Sequence, residues 1–118
     1  MTRLSADYCR LLDGRDAAGW SELFAVDGRL DLGRKQIVGR DALREFGAAS
    51  PPGVHLGGPA AVTVGEDEIT SESPFVFVNA GTGAVLAGYY SDRLVWQDER
   101  LVFAVRRIDI RATSPKAG

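Results

Sequence analysis

The chain has 118 residues, 45% of them apolar and 25% charged, with a formal net charge of -2. That length builds one globular domain around one core, and the mixed charge excludes the basic patch that nucleic acid or an anionic membrane surface requires. Cys9 is the only cysteine and His55 the only histidine, which excludes an internal disulfide and a structural zinc site; neither a metal nor another cofactor is expected.

The start, Met1-Thr2-Arg3-Leu4, lacks the apolar run of a signal peptide, and no stretch approaches a membrane span, which predicts a cytoplasmic protein. Leu4, Tyr8, Leu11 and Leu12 fall on one face of a helix over residues 4–14. Cys9, on the same helix, reads as a packing residue, since nothing near it in sequence would lower its pKa. Asp13 stands at the helix end, where the macrodipole disfavours an anion, and Gly14 is a natural left-handed cap that stops the helix without it. A misplaced acid invites a search for a compensating partner.

Asp16 is an N-cap for a second helix over residues 17–24, whose apolar face is Trp20, Leu23 and Phe24. Asp27-Gly28 turns the chain into two short edge strands, residues 29–32 and 37–38. A third helix, residues 40–46, places Leu43 and Phe46 inward and is ended by Gly47, with Pro51-Pro52-Gly53 behind it. Turn clusters then separate four long strands in a meander, residues 54–64, 69–79, 84–96 and 101–111. Helices first and strands after predict an α+β domain over residues 1–112, its helices on one face of an antiparallel sheet, with a loose tail over 113–118.

Two strand positions carry polar groups of interest. Alternation puts Asp92 on the apolar face with Tyr90 and Leu94, a costly place for an acid unless it is paired. Arg106 and Arg107 lie one on each face of the last strand and are the nearest partners by hairpin symmetry; Arg107 is taken as the substrate-side candidate, although alternation leaves open which of the two faces in. His55 lies early in the first long strand, and Gly57-Gly58-Pro59 directly after it can host a bulge that changes its face.

The order of these segments resembles the SnoaL-like branch of the nuclear-transport-factor-2-like superfamily. The likeness rests on Tyr8-x-x-x-Leu12-Asp13-Gly14, on Trp20 to Gly28, on Val38-Gly39-Arg40-x-Ala42-Leu43, on His55, on Gly88 to Leu94, and on Arg106-Arg107-Ile108. It implies a cone-shaped curved sheet wrapped around a pocket, closed by three N-terminal helices, with a homodimer formed through the sheet. Dehydrochlorinase and scytalone dehydratase members of the superfamily use an aspartate at the end of the first helix with a histidine early in the first long strand, positions that fall here on Asp13 and His55. A carboxylate on one imidazole nitrogen fixes the tautomer and lets the other nitrogen take a proton.

The resemblance thus implies a lyase, isomerase or cyclase without cofactor, acting on a small hydrophobic, cyclic ligand. Tyr8, Tyr90, Asp92, Trp20 and Arg107 are the residues expected to bind or position the substrate. Tyr8 and Asp92 also match the oxyanion-holding pair of ketosteroid isomerase, but Asp31, nearest to that enzyme's base, is one residue out of step with Leu32. The alternative is a non-catalytic ligand-binding or dimerisation module of the same fold.

Overall fold

The stripe Leu4, Tyr8, Leu12 is buried on one face of α1 (Thr2–Asp13). This element and those below are taken from a computed structural model that describes residues 2–114. Gly14 N donates to Arg10 O at 2.9 Å, but the left-handed residue that follows the helix is Arg15 (φ 66°) and not Gly14. The conformational cost at Arg15, about 1 kcal/mol, is offset by its side chain. The guanidinium donates to Ser50 O at 2.6 Å and Ala48 O at 3.1 Å, placing a cation at the carbonyl end of α3 (Arg40–Ala49).

In α2 (Ala17–Ser21), Asp16 accepts from Gly19 N at 2.9 Å as its cap. This helix is shorter than the expected 17–24 because Phe24 already opens β1 (Phe24–Asp31), pairing with Phe103, while Phe103 N takes the Leu23 carbonyl. Conversely α3 continues past Gly47. That glycine serves contact and not termination: a Cβ there would lie 2.9 Å from the Trp20 ring.

The remaining strands are β2 (Gln36–Val38), β3 (Gly53–Gly57), β4 (Ala61–Val64), β5 (Ile69–Asn79), β6 (Val85–Gln97) and β7 (Arg100–Ser114). They form one curved sheet in the order β2-β1-β7-β6-β5-β3, with β4 also on β5. Two expectations are corrected. The sheet is mixed, not antiparallel throughout, because β1 runs parallel to β7. The single strand over 54–64 is two, since Pro59 cannot donate to a ladder; Gly58 N still reaches Pro74 O, and β3 and β4 then share the same edge of β5. β7 also reaches two residues beyond the boundary at 112, because Thr113 and Ser114 pair with Leu86 and Val85. The rest of the expected tail, 115–118, lies outside the described residues.

The concave face of the sheet carries Ser71, Ser73, Phe75 and Phe77 of β5, Leu86, Tyr90, Asp92 and Leu94 of β6, and Phe103, Arg106 and Ile108 of β7, as pairing and alternation require. Trp20, Phe24, Leu30, Leu43 and Phe103 are fully buried there, packed beneath the helices. Among the described residues no helix is long and apolar enough to cross a membrane.

Candidate active site

The end of α1 meets the start of β3, and there Asp13 finds its partner. Its Oδ1 lies 2.5 Å from His55 Nδ1, and its Oδ2 accepts from His55 N at 2.7 Å. One carboxylate therefore holds both the ring and the backbone of the same residue, fixing the strand and the imidazole together. A carboxylate can only accept, so Nδ1 is the donor, and in the neutral ring Nε2 is the nitrogen that holds the free lone pair. Among the described residues no protein group hydrogen-bonds Nε2. The ring is further fixed by Phe77, tilted against it at 4.4 Å between centroids, and by Tyr8, edge-on at 6.4 Å.

His55 forms part of the wall of a cavity of about 240 Å³ inside the cone. Around it stand Tyr8 and Leu12 of α1, Phe46 of α3, Phe75 and Phe77 of β5, Leu86 and Tyr90 of β6, and Ile108 and Ile110 of β7. The walls are almost wholly apolar, and the polar groups among them are His55, Ser50 and the two tyrosines. A cavity of about 150 Å³ accepts one benzene, so this one suits a compact one- or two-ring molecule. Tyr90 is stacked on Phe75 (4.3 Å, 15°) and set edge-on to Tyr8 (5.5 Å). Burial pushes the Tyr8 hydroxyl up to about 12, against the opposing pull of Arg106. Burial likewise raises Tyr90. Both tyrosines are therefore protonated donors at neutral pH.

Below the tyrosines lies a buried polar row that the ladder assembles across three strands, Ser71 opposite Asp92 and Asp92 opposite Arg106, and apolar Leu30 of β1 closes it beside Arg106. Ser71 Oγ donates to Asp92 Oδ2 at 2.9 Å, and Arg106 Nε stands 3.0 Å from Asp92 Oδ1, a charge contact too poorly aligned for a hydrogen bond. Burial raises the Asp92 carboxyl above the usual range, although Arg106 and Ser71 draw it down. The guanidinium carbon stands over the rings of Tyr90, Tyr8 and Phe103, 3.5 Å, 4.2 Å and 4.5 Å from their centroids.

Two residues expected at the substrate are elsewhere. Arg107 is exposed on the convex face, and Arg106 points in. Strict hairpin symmetry would set Asp92 opposite Val105 and turn Arg107 inward, but Ala104 is an extra residue between Leu94–Phe103 and Arg93–Val105, and this bulge exchanges the faces of residues 105–110. Trp20 is completely buried in the core between Tyr8, Phe24 and Phe46 and does not reach the cavity. Asp92 is inward as expected, one layer beneath the cavity and not on its wall. Sequence reasoning missed Phe75, Phe77 and Ile108 as wall residues, although the inward alternation of β5 carries the signal for the first two.

Residues 1–107 match the SnoaL-like domain family, and the chain belongs to it. Among solved structures it is similar to Rv3472, a protein of unknown function from Mycobacterium tuberculosis solved as a point variant, with 32% identity and a TM-score of 0.86 over 93% of this chain and 69% of that one. It is also similar to a provisionally assigned scytalone dehydratase from Novosphingobium aromaticivorans (19% identity, TM-score 0.80, 99% and 85% covered). A hexachlorocyclohexane dehydrochlorinase, LinA type 2, aligns with 14% identity and a TM-score of 0.80, covering 98% and 85%. The last two likenesses are of fold. Comparison with curated proteins gives no match.

Proposed function

We propose that the chain is a cofactor-independent lyase, isomerase or cyclase in which His55 removes a proton from carbon and Asp13 orients the imidazole. The observation that carries this reading is the double contact of Asp13 with His55, at 2.5 Å and 2.7 Å, which leaves Nε2 without a protein partner at the wall of an apolar cavity. With the proton held at Nδ1, Nε2 is the acceptor, and the charge formed on the ring is stabilised by the carboxylate. Apolar walls strengthen that attraction. The ligand is a small hydrophobic ring system, by the volume and lining of the cavity, and Tyr8 and Tyr90 offer hydroxyls to an oxygen on it. The dehydratase and dehydrochlorinase among the structural neighbours make eliminations of water or halide the first reactions to assay.

Deuterium uptake from heavy water into a panel of small cyclic ketones and lactones, followed by proton NMR, tests the proposal without knowledge of the natural substrate. The native protein is expected to exchange at least one of them, and His55→Ala to lose about 10²- to 10⁴-fold of that rate. Asp13→Asn should lose part of it. Full exchange in His55→Ala overturns the assignment, and ligand binding without exchange by the native chain favours a binding module. We propose as well that the chain acts as a homodimer joined through the convex face of its sheet.

A further inference from the structure

Arg106 is 1% exposed, yet among the described residues its Nη1 and Nη2 have no hydrogen-bond partner, and the carboxylate of Asp92 approaches only Nε. A guanidinium taken out of water is stabilised by paired acceptors. This one is surrounded by ring faces, and two of the three rings belong to the tyrosines that line the cavity. The positive charge thus lies directly behind the phenols, on the side away from the ligand. Attraction between a cation and a ring face draws electron density toward the cation and strengthens the hydroxyl as a donor. Tyr8 is also the residue edge-on to His55, so a ligand spanning the cavity can present a C–H to Nε2 and an oxygen to Tyr8 together.

We propose that Arg106 is a positioning residue whose charge, acting through the faces of Tyr8 and Tyr90, makes the tyrosine side of the cavity a resting place for an anionic oxygen. This rests on the proposed function. In that reaction the C–H electron pair becomes a new C=C bond as His55 Nε2 takes the proton, the carbonyl π pair moves onto oxygen, and the Tyr8 hydroxyl donates to the oxyanion. Arg106 touches none of the reacting atoms. The complementary ligands are acidic phenols and enols, whose bound anions imitate that state.

The probe is para-nitrophenol, whose neutral and ionised forms absorb at different wavelengths, with para-nitroanisole as a neutral molecule of similar shape. Removing Arg106 alone strands Asp92, so the informative variant is Asp92→Asn with Arg106→Met, which empties the row of both charges. At a fixed pH near the probe's own pKa, the native cavity should hold it mostly as phenolate. The double variant should lower the bound phenolate-to-phenol ratio by about tenfold, equivalent to one pKa unit, while still binding para-nitroanisole. Arg106→Lys, which keeps the charge, should retain most of the ionised fraction. An unchanged ratio in the double variant overturns the inference and leaves the base assignment standing. Failure of the native chain to bind either probe overturns the inference and the ligand-cavity reading together.

Discussion

Arg106 and Asp92 form the most expensive side-chain pair in the interior, since both are removed from water and the carboxylate gains only Ser71 besides. Desolvation raises Asp92, so the native state binds that proton more tightly than the unfolded chain does. For an acid with a raised native pKa, stability falls as pH climbs from the unfolded value, about 3.9, through the native one. Arg106 limits that loss in the native protein. In Arg106→Met the opposing charge is gone, Asp92 rises further, and the variant should be about 3–5 kcal/mol less stable at neutral pH. Its deficit should shrink when the pH is lowered to about 4, where the carboxyl is protonated. Urea titrations at the two pH values measure this, and an equal deficit at both would mean that Asp92 does not carry the effect. The Asp13 carboxylate at the unfavourable end of α1 is stabilised by two donors of His55, one of them a backbone amide.

At the scale of elements, the packing of β6 on β7 decides the shape of the cone. Gly88 stands where a Cβ would overlap the Asp109 carbonyl and lie 3.0 Å from Ile110 Cα, beside a second register shift between Ala87 and Gly88. Gly88→Ala must push the two strands apart and is expected to cost about 1–3 kcal/mol, read from thermal or urea unfolding. Gly81→Ala, whose nearest neighbour would be the flexible Asn79 side chain at 3.4 Å, should cost far less. The same two strands explain what was legible in the sequence. Strand β5 and the inward face of Asp92 follow from alternation and turn residues, and α1 from its four-residue stripe, because each signal is local. The Ala104 bulge has no local signal: it is fixed by the ladder, and with it the exchange of Arg106 for Arg107. Likewise Phe24 suits a helix by its spacing from Trp20, but its pairing with Phe103, 79 positions away in the chain, outweighs one more helical turn. The Asp13–His55 contact was reached by resemblance alone, for neither residue's own segment predicts the other.

In the whole molecule the helices cover one face of the sheet and leave the other bare among the described residues. On that convex face Val54 pairs with Val78, Leu56 with Val76, Val76 with Ala87 and Pro74 with Tyr89, so their side chains form one apolar area. Val54, Leu56, Val78 and Tyr89 are all exposed. Beyond it, Arg29, Arg93 and Arg107 share the face with Asp31 and Glu72, and among the described residues none of these five is in an ion pair. A two-fold axis across the face sets the apolar area against itself and lets the arginines of one copy meet the carboxylates of the other, which is the self-complementarity an isologous contact needs. Sedimentation equilibrium should therefore find a dimer. Tyr89→Glu together with Val78→Glu puts like charges opposite each other in the centre of the contact and should return monomers, with the helical and strand circular dichroism unchanged because both side chains point away from the core. A native chain that sediments as a monomer over the whole accessible concentration range would show that the bare face serves another purpose.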